Sequence, residues 1–414
     1  MIRLNPRKKF AALAILAMTV ALTPCTGSAQ SKPSGTLSFS NWQWLTPDTG
    51  PAMWDAITSG YRASNPKAEF KQRSTAFSSY IDKLNTELGA GTAPDVFVVS
   101  DAHFATLAAA GLVAPLNKVT EKIKLNNSND FLKIKGQQFG VTWEAPSYAL
   151  VGNKNVMAKA GITSMPTTVD ELIAAGKKIK AVGDHGFAVR HLISEGGGWY
   201  TDFCAWTYAN GGSWSDGKKL TIDSAANIKG VTEFAKVMSS GIVPIGDNAS
   251  TFRSKFMQNK VGFIIENAGA VLSFTASGKL KGKDIETAPL PFSYPGQNQQ
   301  LILAVNAKSP NKQLAEDFIS WILSADGQKV LRGQRQASTL ATDVPLSESF
   351  SADNPWAAQY IKNGKTARST VIDGFGSQTA AISQVILEAV ERVITKGEDP
   401  RKALVEAQAQ ASKL

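Results

Sequence analysis

Along this chain of 414 residues, aromatic rings repeatedly stand beside carboxylates, amides or a guanidinium group. Trp42-Gln43-Trp44, Trp143-Glu144 and Trp199-Tyr200 are such groupings, and Tyr80, Asp101, Glu266-Asn267 and Arg335-Gln336 add isolated members. Flat rings cover the C–H faces of a solute, while planar carboxylates, amides and guanidinium groups satisfy hydroxyls held in fixed directions. The combination suits reversible capture of a small polyhydroxylated ring compound such as a sugar. Each member also has a plainer reading: the tryptophans as packing, Asp101 as a helix cap, Glu144 as a surface ion-pair partner, Arg335 as a surface cation, and Tyr80 as the filling of a helix's first turn.

Catalytic signatures are absent from the sequence. There is no Gly-x-Ser-x-Gly elbow, Walker loop or dinucleotide fingerprint, and Gly196-Gly197-Gly198 is too short a pattern for phosphate binding. Three histidines, His103, His185 and His191, show no metal-ligand spacing, so neither a metal nor another cofactor is expected. Glu144 and Glu266 could act as a glycan hydrolase pair only if they stood about 5–9.5 Å apart. Beyond a neutral sugar, the candidate ligands are a polyol, a polyamine held by Asp101, Glu144 and Glu266, or an acidic sugar held by Arg335 or Arg190.

These residues follow elements in an alternating order. Strands are expected over 36–42, around 69–73 and over 96–99, with helices over 52–64, 80–90 and 102–110 between and after them. A β-α-β-α-β-α order argues for a mostly parallel sheet covered by helices, with the ligand crevice beyond the strands' carboxyl ends. Trp42-Gln43-Trp44 and Asp101 sit at such ends. A second region repeats the pattern: strands over 139–151 and 261–265, a capping box at Thr168 and Glu171 opening a helix to 181, and a helix over 228–239. Helices over 309–324, 377–395 and 400–412 close the chain. Asp399 and Pro400 stand as cap and first residue of the last one.

The ends and the composition set the compartment. Arg3, Arg7, Lys8 and Lys9 precede a short apolar run over 10–22 and the small residues up to Ala29. That order reads as a signal peptide over 1–29, with export to the periplasm; the alternative is a lipid anchor on Cys25. What remains exceeds one ordinary core, so two lobes are expected. The chain carries 44 basic and 34 acidic residues, and the surplus is scattered, without the clustered footprint of a nucleic-acid binder. Cys204, in the run Phe203-Cys204-Ala205-Trp206, reads as a buried, unreactive thiol.

Five segments in order resemble the extracellular solute-binding proteins of family 1, the sugar-binding, maltose-binding-protein-like group of ABC importers. They are Tyr80-Ile81-Asp82-Lys83-Leu84 leading to Ala93-Pro94-Asp95-Val96, Ala110-Gly111-Leu112-Val113-Ala114-Pro115-Leu116, Gly152-Asn153-Lys154, Phe256-Met257-Gln258-Asn259-Lys260-Val261-Gly262-Phe263, and Ser309-Pro310-Asn311-Lys312 to Phe318. The resemblance implies an α/β, two-lobed periplasmic binding protein fold of type II, hinged about a central cleft. The first lobe would take 30–142 and 262–306, and the second 143–261 and 307–414. It further implies a monomer that is not an enzyme, that closes on its solute and that hands it to transmembrane permease subunits. Glu266-Asn267 would lie at the cleft, where relatives often place a tryptophan, and Gly152 stands where a tyrosine is usual.

Overall fold

The computed structural model describes residues 32–47 and 49–414. The expected signal peptide and Cys25 lie outside the described residues. Residues Pro33–Leu414 form one compact unit built on two separate sheets.

In the first sheet the order is Ala68–Arg73, Gly35–Ser40, Val96–Ser100, Leu301–Val305, Gly140–Glu144. The first three strands run parallel, and Leu301–Val305 runs antiparallel to both of its neighbours. Val96, Phe97, Val98 and Val99 are all buried, the continuous apolar run of a strand covered on both faces. Leu37, Phe39, Val96, Leu303 and Val305 pack on one face under helices Gly50–Ser64 and Lys312–Ile322. Phe97, Val99, Ile302 and Ala304 pack on the other with Tyr80, Leu84 and Phe104. Gly91, at φ 72°, ends helix Phe77–Ala90 in the left-handed conformation that glycine adopts at least cost.

The second sheet has the order Ile285–Ala288, Tyr148–Asn153, Val261–Asn267, His185–Ala188. Helices Val169–Ala181, Gly196–Tyr208, Ala225–Ser239 and Thr379–Lys396 supply one core, and Ala249–Met257 with Ala268–Ala276 supply the opposite one. Thr168 caps its helix from Glu171 N as expected, although the Glu171 carboxylate reaches back to Thr167. Asp399 accepts from Lys402 N at the start of Pro400–Ala411. Among the described residues no helix is long and apolar enough to cross a membrane.

Sheet membership moves two of the expected lobe boundaries. Val261–Asn267 and Ile285–Ala288 hydrogen-bond to Tyr148–Asn153, so they belong to the second sheet, and the chain returns to the first sheet only at Leu301–Val305. Leu314, Phe318, Leu331 and Leu340 pack in the first core, and the chain re-enters a second-lobe core near Leu346 and Trp356. The helix expected over 309–324 is Lys312–Ile322, and a separate helix, Ala325–Arg335, follows it. Ser324 accepts from Gly327 N and starts the second one afresh.

Candidate functional site

Strands of both sheets end near the crossing between them. In the first sheet, Ser40, Ser100 and Glu144 end strands, with Leu301 opposite Ser100 and Glu144. In the second, Glu266-Asn267 ends its strand opposite Ala149 and Tyr148, and Ala188 ends the neighbour. The crossing 145–147 joins Glu144 directly to Tyr148, so one edge continues into the other.

On the first edge Gln43 is central. Its Nε2 donates to Glu144 Oε1 at 2.6 Å, and its Oε1 accepts from Trp143 Nε1 and Asn41 Nδ2, each at 3.1 Å. Ser338 Oγ donates to the second Glu144 oxygen at 3.0 Å, and Arg335 Nε lies 3.5 Å from the first. Gln43, Trp143, Glu144 and Arg335 therefore meet in one array. Arg335 is the last residue of helix Ala325–Arg335.

The second edge carries buried charge. Arg253 Nε, from helix Ala249–Met257, donates to Glu266 Oε2 at 2.6 Å. Asn267 N and Nδ2 donate to Glu266 Oε1, and Asn267 Oδ1 caps helix Ala268–Ala276 from Ala270 N. Beside this pair, Arg190 Nε stands 3.0 Å from Asp202 Oδ2, and the Tyr148 hydroxyl donates to Asp202 Oδ1 at 2.8 Å. Burial raises the Asp202 carboxyl, Arg190 opposes that rise, and Glu266 adds to it, so the two pairs share one field. Glu195, 3.9 Å from Arg190, accepts from Ala249 N at the start of a helix.

Local sequence explains the placement. Gly196, Gly197 and Gly198 open helix Gly196–Tyr208, and a Cβ at 198 would fall on the Arg190 guanidinium. Gly198 therefore makes room for the arginine. A Cβ at 152 would likewise strike the sulfurs of Met157 and Met165, which leaves no space for a tyrosine there.

Asp101 belongs to neither array. It opens helix Asp101–Ala109, accepts from Ala102 N at 2.9 Å and takes the Ser369 hydroxyl at 2.7 Å. Ser369 lies between Arg368, which donates to Gly212 O, and Thr370, whose carbonyl accepts from the Tyr200 hydroxyl. The contact ties a first-lobe helix to a segment fastened on the second lobe. Burial pushes the Asp101 carboxyl up from 3.8 to about 6, against the Ser369 and Ala102 donors that lower it.

The expected stacking rings need correction. Trp44, Trp143 and Trp199 are 2 %, 0 % and 0 % exposed, all within lobe cores. Trp44 is boxed by Phe39, Trp54 and Trp143 with ring centroids 5.1–6.1 Å apart. Tyr80 is buried with its hydroxyl on Ser40 O, and Tyr200 is buried against Thr370. Large rings at strand ends gain more from core burial than from an open cleft. Cys204 is fully buried, and burial pushes its thiol up to about 12. His191 is occupied by backbone, with Nδ1 at Val189 O and Nε2 accepting from Gly246 N.

Sequence reasoning missed Tyr148, Asp202, Arg253 and Ser338, and gave Arg190 only to an acidic ligand. Asp202 offered a signal: it is the one charged residue in the apolar stretch 199–208.

The chain and its fold are similar to those of known proteins. The chain is 25 % identical over 337 residues to the diacetylchitobiose binding protein DasA of Streptomyces coelicolor, covering 77 % of this chain and 78 % of that one. Its fold is similar to that of the GacH receptor of Streptomyces glaucescens, solved unliganded and with acarbose, at TM-score 0.77 and 22 % identity, covering 92 % and 99 % of the two chains. A solute binding protein of Thermotoga lettingae, solved with α-D-tagatose, matches at TM-score 0.77 and 20 % identity over 92 % and 99 %. Residues 44–329, more than half of the chain, match the model of the bacterial extracellular solute-binding proteins, and the chain belongs to that family.

Proposed function

We propose that this protein captures a neutral sugar between the two edges, closes around it, and delivers it to the permease of an ABC importer. The observation that carries the ligand class is the pairing of charge. Glu144 faces Arg335, Asp202 faces Arg190, and Glu266 faces Arg253. Asp101 and Glu195 are engaged by a hydroxyl and backbone N–H groups. A polyamine would need carboxylates with charge to spare, and an acidic sugar would need an unmatched guanidinium. Paired arrays instead offer fixed donors and acceptors with little net field, which suits hydroxyl groups. DasA and the GacH receptor, whose names and complexes are with carbohydrates, support the same class.

Gln43 and Arg335 would contact the sugar from the first lobe, held in place by Glu144, and Arg190 and Arg253 from the second, held by Asp202 and Glu266. Because each lobe holds part of the contacts, the sugar favours the closed arrangement and shifts the population toward it. Glu144 and Glu266 have their oxygens occupied by hydrogen bonds and arginines, which argues against a hydrolytic pair and for a binder that is not an enzyme. Export to the periplasm and a monomeric state complete the proposal, in keeping with the basic, then apolar, N-terminus.

A thermal-shift screen of residues 30–414 tests the ligand class. Neutral mono- and oligosaccharides should raise the melting point, since a ligand at 100 times its Kd adds about 2.7 kcal/mol. A shift confined to polyamines or sugar acids would reject a neutral ligand.

A further inference from the structure

Tyr148 and Asn267 pair at one end of the second sheet; at the opposite end Asn153 stands across from Ile285, and Val261 across from His185. The segments entering and leaving that far end meet there. Helix Lys154–Lys159 leaves Asn153, helix Val169–Ala181 ends shortly before His185, and segments 258–260 and 277–284 lead into Val261 and Ile285. Contacts fasten them together. Asn155 Nδ2 donates to Asn259 Oδ1 at 3.2 Å, Lys159 and Lys260 share Asp184 at 2.7 and 3.7 Å, and the Ser277 hydroxyl lies 3.8 Å from the Met257 sulfur.

This end gathers cations that are scattered along the sequence. Lys159, Lys180, Lys260, Lys279, Lys281 and Lys283 all stand there, and all are exposed. The carboxylates nearby do not cancel them. Asp184 is buried and shared by two lysines, Asp284 accepts from the Lys281 backbone N–H, and Glu286 already faces Lys154. Exposed Asp353 borders the patch, its carbonyl facing Gly282, and offsets one lysine. A lysine in a helix's last turn is an ordinary answer to the helix dipole. Lys260, Lys281 and Lys283 lie beyond the ends of helices Ala249–Met257 and Ala268–Ala276, where that need does not arise.

Segments 258–260 and 277–284 contain no arginine and no aromatic ring, the groups that specific recognition of a protein or nucleic acid favours. Compact charges on flexible lysine stems suit a diffuse layer of anionic headgroups instead, at about 1 kcal/mol for each lysine near the surface. We propose that this end of the second lobe is a docking surface for an anionic lipid membrane, with the edge at Tyr148 and Glu266 turned to the other end of the same strands.

Vesicle co-sedimentation of residues 30–414, which contain the whole compact unit, tests the surface. Wild type should bind phosphatidylglycerol vesicles at low salt, ignore phosphatidylcholine vesicles, and come off in about 1 M salt, where the Debye length is about 3 Å. The triple variant Lys260→Gln, Lys281→Gln, Lys283→Gln should bind about tenfold more weakly or worse. A first-lobe triple variant of exposed lysines, Lys122→Gln, Lys124→Gln, Lys312→Gln, removes the same charge and should change binding less than about twofold. Melting curves run alongside check that both variants are folded. Equal losses in the two variants would overturn the surface in favour of net charge alone. Equal binding to both vesicle types, or binding to neither, would overturn it outright, and capture of polyglutamate without vesicles would assign the patch to an acidic protein.

Discussion

The two edges hold their polar side chains in place by different physics. On the first, a neutral amide organises the array: Gln43 links Trp143, Asn41 and Glu144 by hydrogen bonds, and Arg335 stands off at 3.5 Å with its side chain 13 % exposed. On the second, charge meets charge inside protein, with the Glu266 side chain at 0 % and Asp202 at 3 % exposure beside Arg253 and Arg190. Buried ions stay put only when geometry and further hydrogen bonds offset their desolvation. Asn267 and Tyr148 supply those bonds here. The second edge is thus fixed by paired charge, while the first leaves Gln43 half-buried.

Removing an arginine from each edge should separate them most sharply. Arg253→Ala leaves Glu266 charged and buried, and should cost about 3–5 kcal/mol of unfolding free energy in urea titrations. Arg335→Ala removes a longer contact from a carboxylate that keeps Gln43 and Ser338, and should cost about 1 kcal/mol. Equal losses would erase the distinction.

Asp101, which bridges the lobes through Ser369, gives the next largest effect. Its folded form holds a proton more tightly than the unfolded chain, so its contribution to stability is full below about pH 4 and declines as pH rises to about 6. Across that window wild type should lose on the order of 2 kcal/mol relative to Asp101→Asn. Urea midpoints for both proteins at pH 4, 5, 6 and 7 measure the difference, and a constant offset at every pH would refute the assigned burial effect.

A smaller change probes the first edge as a binding surface. Glu144→Gln keeps the shape and removes the charge beside Arg335 and Gln43. Sugar affinity should fall about tenfold, with stability within about 1 kcal/mol of wild type. Unchanged affinity would move the sugar off this edge.

Much of the fold is written locally. The apolar run 96–99, the left-handed cap at Gly91 and the Asp399-Pro400 helix start each announce their element without help from distant residues. Boundaries between lobes are not local: 261–267 is as apolar as any first-lobe strand, and only its pairing with Tyr148–Asn153 assigns it. The site divides the same way. Gln43, Glu144 and Glu266 were legible because polar residues ended recognisable strands. Arg253 comes from a helix and meets Glu266 across thirteen positions, and Ser338 reaches Glu144 from 194 positions away. Strand-end tryptophans misled because adjacency to polar residues says nothing about which face of the sheet a ring covers. Trp44 and Trp143 turn inward, while Trp42 is only half-buried.

Small-angle X-ray scattering on residues 30–414, with and without a saturating sugar found by the thermal screen, tests the central claim that both edges grip one solute. Capture between the lobes predicts a smaller radius of gyration with the sugar, and a Glu144→Gln variant that needs about tenfold more sugar to reach it. A saturated protein whose radius does not change would contradict binding by closure of the two edges.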